Sequence, residues 1–484
     1  MVRVLSVASE AYPLVKTGGL ADVVGALPAA LAAHGVEVTT FLPGYPAVLA
    51  AAAKRAKPVH RWPDLLGVEA RLLAGKLDGY PLLVLDAPAL FDRPGGPYAD
   101  ATGRDWDDNW LRFAALARAA ADLASGVVPG QDYSLLHAHD WQAGLAPAYL
   151  RFAPGPGRSA KAVATVHNIA FQGRYDREVF PRLGLPEHAF AIDGVEYHGG
   201  VGYLKAGLEA ADAVTTVSPT YADEIREPRF GMGLEGLIQA KGAAVHGIVN
   251  GIDTAVWNPE TDPALPARYT ARTLAKRAAN KRAVEDRFEL DPGPGPLFCV
   301  VSRLTWQKGM DVLASATDAL VQNGGRLALL GSGDEALEAA FLEAAYRFPG
   351  RVGVRIGYDE DLSHLLQGGS DAILIPSRFE PCGLTQLYGL AYGCVPVVAR
   401  TGGLADTVID ANEAAVQAGV ATGVQFPEVT LPHLVRAIHH AVDLHARHPV
   451  WTRIQKNGMA SDFSWGTSGR RYAQLFQSLV EGAE

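Results

Sequence analysis

The chain has few cysteines, no long apolar run and no excess of basic charge. Its three cysteines, Cys299, Cys382 and Cys394, have no paired spacing, which excludes a disulfide framework and a zinc knuckle. No stretch approaches the ~18 apolar residues of a membrane span, and the apolar run at the N-terminus is too short for a signal peptide. No Asn-x-Ser/Thr acceptor for glycosylation occurs. We therefore expect a soluble, cytoplasmic protein in a reducing compartment, with no membrane partner.

The charge balance limits the class of partner. The 484 residues include 43 Lys and Arg against 52 Asp and Glu, a formal net charge of −9. A surface that follows nucleic-acid phosphates needs a basic excess, so we expect no nucleic-acid partner. At ~150 residues per domain, the length predicts about three domains or two large ones.

Short β-rich apolar runs alternate with longer stretches of helical spacing in the first half of the chain. Such alternation is typical of parallel βαβ units with helices on both faces of the sheet. Helices are predicted over 21–34 and 110–124. Strands of a doubly wound sheet are predicted over 2–8, 36–41, 82–85, 135–137, 163–166 and 213–217.

The alternation restarts after two proline-rich segments, 256–268 and 291–296, which are typical of linkers and loops. Strands are predicted over 297–301, 326–330, 352–356, 372–375 and 395–399, with helices over 310–321 and 383–392. The fold class is therefore α/β, with Rossmann-like domains at 1–255 and 256–460. A last helix, near 472–480, lies in a segment, 461–484, that we expect to pack back on the N-terminal domain.

An eight-residue segment occurs twice, almost unchanged. Residues 17–24 read TGGLADVV and residues 401–408 read TGGLADTV, and each copy follows a predicted strand and opens a helical pattern. Open α/β sheets bind ligands at the carboxyl ends of their strands. Gly18 and Gly19 let backbone N–H groups approach an anion, and Lys16 adds a cation at the helix start. We interpret the turn as a phosphate site, with a plain tight turn as the alternative, because it matches neither the dinucleotide fingerprint nor the P-loop.

Histidines follow two of the predicted strands. His137, His139 and Asp140 stand where one strand ends, and His167 follows another. Zn²⁺ in catalytic sites takes three nitrogen or oxygen ligands plus water, so His137, His139 and His167 predict a metal-dependent hydrolase as one alternative. The other alternative is that one histidine lies in the core and another lines a cleft.

Charged and aromatic residues also follow strands in the second half. Arg303 and Lys308 share one loop and can converge on an anion such as a diphosphate, or they are solvated loop cations. Glu380 is predicted at a helix N-terminus, either as a cap or as an acceptor for sugar hydroxyls. Cys382 has no histidine partner and is interpreted as packing or as a wall of the site. Tyr358 either stacks on a base or packs.

Seven motifs, in order along almost the whole chain, resemble the bacterial glycogen synthases and plant starch synthases. They are KTGGLADV at 16–23, HAHDWQAG at 137–144, TVHNIAFQG at 165–173, VNGID at 249–253, SRLTWQKG at 302–309, PSRFEPCGLTQLYGL at 376–390 and RTGGLADTV at 400–408. The resemblance implies a retaining glucosyltransferase of GT-B architecture, with two doubly wound Rossmann-like domains facing a central cleft. It implies transfer of glucose from ADP-glucose to the non-reducing end of an α-1,4-glucan, release of ADP, and no metal or other cofactor.

The resemblance also implies roles for individual residues. Arg303 and Lys308 match the cations at the leaving diphosphate, and Glu380 matches the carboxylate that holds the donor sugar. With these three, the implied catalytic set contains His167, beside the transferred glucose, and Asp140, near the acceptor. Implied donor-binding residues are Lys16, Gly18, Gly19, Tyr358, Cys382, Gly383, Thr401, Gly402 and Gly403. The acceptor or sugar side is assigned to His139, Asn168 and Asn250. A sugar-nucleotide-binding protein without catalysis is a further alternative.

Overall fold

A computed structural model describes residues 1–53, 56–155, 157 and 160–482. The chain divides into two compact units, one formed by Met1–Gly251 with the segment from Trp465 onward, the other by Ile252–Ser464. The boundaries predicted from the sequence, 255/256 and 460/461, each differ from these by four residues. Residues 483 and 484 of the predicted segment 461–484 lie outside the described residues.

The first unit contains a large mixed sheet and a small antiparallel one. Its strands are β1 (Val2–Val7), β2 (Val36–Pro43), β3 (Pro58–Leu65), β4 (Val68–Leu77), β5 (Tyr80–Asp86), β6 (Leu135–His139), β7 (Lys161–Val166), β8 (Arg174–Tyr175), β9 (Glu196–Tyr197), β10 (Gly200–Gly202), β11 (Ala213–Thr216) and β12 (Val245–Gly247). The large sheet has the order β12-β11-β7-β6-β1-β2-β5-β4-β3, and the small one β8-β10-β9. Neighbours in the large sheet are parallel, except that β4 is antiparallel to β3 and β5.

The first sheet changes its winding direction next to β1. The chain runs from β1 to β2 and β5 on one side, then continues on the other side with β6 and β7. β1 and β6 pair in parallel, with Val7 opposite Ala138. Connections that leave two adjacent strands in opposite directions open a crevice at the strand ends, where ligands bind in open α/β sheets. The segments after β1 and β6 are those that contain Lys16 and Asp140.

Helices cover both faces of this sheet. They are α1 (Gly19–Ala32), α2 (Pro46–Val48), α3 (Pro88–Phe91), α4 (Asn109–Ala124), α5 (Asp140–Ala143), α6 (Leu145–Phe152), α7 (Tyr203–Ala210), α8 (Pro219–Glu224), α9 (Pro228–Gly231) and α10 (Glu235–Lys241). Short 3₁₀ segments cover Arg177–Arg182, Glu187–Ala189 and Gly242–Ala244, and a π-helical turn covers Leu49–Ala53. α1 begins at Gly19, two residues before the predicted start, and buries Leu20, Val24, Leu27 and Leu31 at helical spacing.

The second unit is a six-stranded parallel sheet with the order β15-β14-β13-β16-β17-β18. Its strands are β13 (Leu297–Val301), β14 (Arg326–Gly331), β15 (Val352–Ile356), β16 (Ala372–Ile375), β17 (Val395–Ala399) and β18 (Val424–Phe426). Its helices are α11 (Arg277–Phe288), α12 (Met310–Gln322), α13 (Glu335–Arg347), α14 (Glu360–Gly369), α15 (Thr385–Tyr392), α16 (Gly402–Thr407), α17 (Glu413–Ala418), α18 (Leu431–Ala446) and α19 (His448–Ala460), after a 3₁₀ segment at Leu274–Lys276. The winding direction reverses between β13 and β16. The predicted α/β class, with two doubly wound and mainly parallel sheets, is confirmed.

The last helix, α20 (Trp465–Glu481), is longer than the predicted 472–480. It returns to the first unit, where Tyr472 and Phe476 join the apolar cluster of Val4 and Leu27. This cluster lies between the central strands and α1. Across the described ranges no helix, α20 included, has both the length and the apolar character needed to cross a membrane.

Candidate active site

A chain of hydrogen bonds connects two histidines at the strand ends of the first unit. His139 Nε2 lies 3.1 Å from Ser6 Oγ, and His139 Nδ1 lies 3.0 Å from His167 Nε2. A neutral imidazole has one N–H and one bare nitrogen, so these groups align donor to acceptor in a single direction. A change of tautomer at His167 therefore reverses the direction of both hydrogen bonds. Ser6, His139, His167 and Asp140 are referred to below as the histidine site.

Burial keeps the histidines of this region neutral. It lowers the pKa of His167 to about 3 and holds the pKa of His139 well below its usual range. Desolvation disfavours the charged form of each ring, and at His139 the neighbouring rings of His137 and His167 lower the pKa further. His167 is partly accessible while His139 is fully buried. His167 therefore offers a neutral hydrogen-bonding ring to a ligand, and the hydrogen bond with the buried His139 orients that ring.

His137 belongs to the core rather than to the site. Its Nε2 lies 2.6 Å from Thr165 Oγ1, and its ring packs against Tyr472 and Phe476 of α20. Burial lowers the pKa of His137 to about 3. Of the two alternatives for the histidine motif, the structure therefore favours one core histidine and one that faces the strand ends.

The metal-hydrolase alternative is not supported by this arrangement. Both ring nitrogens of His139 contact Ser6 and His167 rather than converging with His137 on one point. Among the residues that the structure describes, no group of three or more His, Cys, Asp or Glu is placed to hold a metal ion.

Asp140 connects β6 to the loop after β7. It has a left-handed backbone with φ of 54°, and its Oδ1 accepts hydrogen bonds from the backbone N–H groups of His167 at 2.7 Å and Asn168 at 3.5 Å. Burial raises the pKa of Asp140 to about 7, these hydrogen bonds oppose the rise, and the nearby charge of Glu10 adds to it. A carboxyl group with this pKa can exchange a proton near neutral pH.

The raised pKa predicts how Asp140→Asn changes stability with pH. In the unfolded chain the carboxyl ionises near 3.8, but in the folded protein it keeps its proton up to about pH 7. Between these values the unfolded state has released a proton that the folded state retains, so rising pH favours unfolding. Asparagine does not ionise. We expect the melting temperature of Asp140→Asn to exceed that of the wild type by a margin that grows from about pH 5 to about pH 8.

Asp100→Asn is the control, because the pKa of Asp100 is shifted in the opposite direction from that of Asp140. Hydrogen bonds from Thr102 lower the pKa of Asp100, so this carboxylate stabilises the fold above its unfolded pKa of 3.8. Its replacement should lower the melting temperature by a margin that stays level between about pH 5 and about pH 8. Thermal unfolding monitored by circular dichroism measures both variants. A constant margin for Asp140→Asn would contradict the raised pKa.

The first TGG turn is held by a buried carboxylate that the sequence analysis did not identify. Glu10 follows β1, is 2% exposed, and accepts hydrogen bonds from the Thr17 backbone N–H, the Thr17 hydroxyl and the Tyr98 hydroxyl. Lys16 Nζ lies 2.8 Å from Asp22 Oδ1. Gly18 precedes α1, and an added Cβ would meet nothing within 4 Å, so this turn is open at Gly18.

The central feature of the second unit is an ion pair between two loops. Lys308 Nζ lies 2.6 Å from Glu380 Oε2, and the Ser377 hydroxyl donates to the same oxygen at 2.8 Å. The two loops follow β13 and β16, the neighbouring strands where the winding reverses. Lys308, Glu380 and Ser377 are referred to below as the glutamate site.

The loops of the glutamate site are in direct backbone contact. Gly309 has φ of 69°, and a Cβ there would lie 1.9 Å from the carbonyl oxygen of Pro376. The Arg378 backbone N–H also donates to the Gln307 carbonyl at 2.8 Å. This close approach fixes Lys308 opposite Glu380, although 72 residues separate them.

Of the two alternatives predicted for Glu380, the helix cap is wrong. α15 begins at Thr385 rather than at residue 383, and Gly383 has a left-handed backbone with φ of 72° that ends the preceding loop. Glu380 thus lies in a loop, with its carboxylate directed to Lys308 and Ser377. The geometry therefore favours the other alternative, in which Glu380 is an acceptor for sugar hydroxyls.

Three further predicted site residues take different positions around the same sheet: Arg303 from the implied catalytic set, and Cys382 and Tyr358 from the implied donor-binding set. Arg303 is exposed on the loop after β13, and its guanidinium forms no ion pair with any residue in the described ranges. Cys382 is buried beside Glu380. Tyr358 follows the edge strand β15, is 75% exposed and has its hydroxyl 2.8 Å from Glu360 Oε2.

The second TGG turn packs on the loop of the glutamate site. A Cβ on Gly402 would lie 2.0 Å from the Glu380 carbonyl, and one on Gly403 would lie 2.1 Å from the Cys382 carbonyl. The Gly403 N–H donates to the carbonyls of Glu380 at 3.1 Å and Pro381 at 3.2 Å. This amide is therefore engaged within the protein rather than open to a diphosphate. Thr401 is buried at the start of the turn.

Two predicted asparagines lie in the first unit. Asn168 Oδ1 accepts the Ala170 N–H at 3.0 Å and shapes the loop beside His167. Asn250 follows β12, and its buried Oδ1 has no hydrogen-bond partner among the described residues. A buried acceptor without a partner is a candidate ligand contact.

Comparison with protein families matches both units. A family described as the starch synthase catalytic domain matches residues 3–240, and one described as glycosyl transferases group 1 matches residues 282–444. The chain is 67% identical over 480 residues to a glycogen synthase of Novosphingobium aromaticivorans and 58% identical over 481 residues to one of Rhizobium leguminosarum, with 99% of each chain covered. It is also similar to the catalytic domain of starch synthase IV from Arabidopsis thaliana, which was solved bound to ADP and acarbose. That similarity has a TM-score of 0.88 at 30% identity and covers 99% of both chains.

Proposed function

Because this chain belongs to the glycogen and starch synthase family of glycosyltransferases, we propose that it transfers glucose from ADP-glucose to the non-reducing end of an α-1,4-glucan. The reaction releases ADP and retains the anomeric configuration. The family matches and the glycogen synthase relatives confirm the resemblance found in the sequence motifs. The starch synthase relative was solved bound to ADP and acarbose, which supports ADP as the released product of the proposed reaction.

The Lys308–Glu380 pair, at the winding reversal of the second sheet, is the observation that carries this proposal. Cleavage of a sugar–diphosphate bond develops negative charge on the leaving oxygen and positive charge on the sugar ring. A cation and a carboxylate held 2.6 Å apart match these two charges. Lys308 stabilises the diphosphate with the exposed Arg303, and Glu380 holds the donor sugar, with Cys382, Gly383 and the second TGG turn shaping the loop.

The first unit supplies neutral and weakly acidic groups. His167, with its low pKa, hydrogen-bonds the transferred glucose without adding positive charge near the developing cation. Asp140 has a pKa of about 7, which suits the role of accepting the proton of the attacking glucan hydroxyl. Lys16, Gly18 and Gly19 bind the donor through the open turn. His139, Asn168 and Asn250 support the acceptor or sugar side.

The proposed reaction uses only protein groups, with no metal and no other cofactor. Lys308 and Arg303 take the place that a divalent cation has in many diphosphate sites. We also propose a cytoplasmic location, since the three cysteines are free thiols, as is usual in a reducing compartment.

Release of ADP is the measurement that tests this function. Purified protein with glycogen should release ADP from ADP-glucose, and elongated glucan should appear in equal amount. UDP-glucose in a parallel reaction defines the base preference, and a chelator should leave the rate unchanged. ADP-glucose binding without ADP release would instead indicate a sugar-nucleotide-binding protein without catalysis, and loss of activity on chelation would contradict the metal-free reaction.

A further inference from the structure

The eight-residue segments 17–24 and 401–408, called the TGGLAD segments below, differ at one position, and the helix that follows differs in length there. Position 23 is valine in the first copy, and the matching position 407 is threonine in the second. α1 continues through Val23 to Ala32, whereas α16 ends at Thr407. Both side chains are buried, at 0% and 4% exposure. A buried hydroxyl is tolerated only when it is hydrogen-bonded, so its partners indicate why threonine is present.

The Thr407 hydroxyl has two partners. It donates to the Gly403 carbonyl at 2.6 Å and lies 3.2 Å from Gln386 Nε2. A hydroxyl has a single hydrogen, so toward Gln386 it acts as the acceptor. Valine has nearly the same shape but can neither donate nor accept a hydrogen bond with its side chain.

Gln386 extends this link to the loop that contains Glu380. It is 0% exposed on α15, and its Nε2 shares two hydrogens among the Thr407 hydroxyl at 3.2 Å and the carbonyls of Cys382 at 3.0 Å and Gly383 at 2.9 Å. The same amide group thus holds the end of that loop and the end of α16.

The links close into a ring. The Gly403 N–H donates to the Glu380 carbonyl, the Gly403 carbonyl accepts from Thr407, and Thr407 accepts from Gln386. Gln386 in turn donates to the Cys382 and Gly383 carbonyls, which lie two and three residues after Glu380. The backbone of this loop is therefore held at both ends. The Thr407 side chain is the member of the ring that a shape-preserving substitution can remove.

We propose that Thr407 is a positioning residue for glucosyl transfer, acting through Gln386 and Gly403 to fix the backbone on which Glu380 is carried. The inference rests on the proposed function for its kinetic consequence. Near the transition state, small displacements of a catalytic group are costly, whereas donor binding is spread over many contacts. Loss of the ring should therefore reduce kcat more than it raises the KM for ADP-glucose.

Thr407→Val, which makes the two TGGLAD segments identical, is the direct test. We expect kcat to fall about tenfold with the KM for ADP-glucose changed less than about twofold. Thr407→Ser keeps the hydroxyl and should keep kcat within about twofold of the wild type.

Thr317→Val is the matched control. Thr317 lies in the same unit, is equally buried, and donates to the carbonyl four residues earlier, that of Leu313 at 3.1 Å. It therefore reproduces the structural cost of losing a buried threonine hydroxyl in a helix, and its kcat should remain near that of the wild type.

Amide hydrogen exchange gives a second readout that does not depend on activity. Peptides covering 380–386 and 401–407 should exchange about tenfold faster in Thr407→Val than in the wild type, Thr407→Ser or Thr317→Val. Equal kcat in the two valine variants, a serine variant as slow as Thr407→Val, or unchanged exchange would each overturn the inference. A wild-type chain that releases no ADP would refute the proposed function, while the exchange data would still decide whether Thr407 holds the loop.

Discussion

Glu380→Gln is expected to lower kcat by about 10³-fold while the protein remains folded. Glutamine has the same size, and its amide oxygen can still accept the Ser377 hydroxyl hydrogen. It lacks the negative charge that faces Lys308 at 2.6 Å and that the developing positive charge on the sugar requires. The rate of ADP release at saturating ADP-glucose and glycogen measures the loss.

Glu285→Gln separates this chemical effect from the loss of a buried charge. Glu285 lies in the same unit, is 2% exposed and is paired with the fully buried Arg326. Its replacement should lower the melting temperature and leave kcat of the folded protein near the wild-type value. A Glu380→Gln enzyme with more than about a tenth of wild-type kcat would reduce Glu380 to a packing residue.

The sheet of the second unit could be predicted almost completely from the sequence. The strands at Leu297–Val301, Val352–Ile356, Ala372–Ile375 and Val395–Ala399 have the predicted bounds. A parallel strand that is covered by helices on both faces is apolar along its whole length, as Leu297–Val301, Ala372–Ile375 and Val395–Ala399 are, whereas the edge strand Val352–Ile356 contains Arg355. These runs are flanked by glycine, proline or charged residues. The signal is therefore local and strong.

The hairpin of β3 and β4 was not predicted, because these strands lack a continuous apolar run. These strands lie at the edge of the first sheet and bury only part of their side chains, so polar residues interrupt the apolar pattern. Partial burial leaves too few consecutive apolar residues to stand out in a single sequence.

The candidate site was predicted as positions but not as contacts. Lys308 and Glu380 could each be placed after a strand, yet their pairing depends on the order of β13 and β16 in the sheet. Glu10 and Ser377 were missed because a lone glutamate or serine has no distinctive spacing. Their importance follows from burial and from what they hold, which only the folded chain shows.

Lys308→Ala is expected to lower kcat by about 10²-fold, with a smaller change in the KM for ADP-glucose. The ammonium group stabilises the diphosphate most when its charge is greatest, at bond cleavage, so the loss falls mainly on the transition state. ADP release over a range of ADP-glucose concentrations separates the two parameters.

Lys281→Ala is a closely matched control for this variant. The Lys281–Asp371 pair has the same 2.6 Å separation in the same unit, and its side chains are 15% and 14% exposed against 17% and 10% for Lys308 and Glu380. Loss of either lysine removes the cation nearest to a buried carboxylate, which destabilises the fold. Each carboxylate keeps other partners, the Leu297 N–H at 2.7 Å and His445 Nε2 at 3.7 Å for Asp371 and the Ser377 hydroxyl at 2.8 Å for Glu380. Only Lys308→Ala should also lower kcat; equal kcat for the two alanine variants would contradict the role at the diphosphate.

A double variant decides whether Lys308 acts on the diphosphate or only on Glu380. If Lys308 merely orients the carboxylate, its removal has no further effect once the carboxylate is absent, and Lys308→Ala with Glu380→Gln turns over as slowly as Glu380→Gln alone. If Lys308 also neutralises the leaving group, the double variant is slower again by about tenfold or more. We expect the second result, because the developing charge on the leaving oxygen still needs a cation when the partner of Lys308 at 2.6 Å has become neutral.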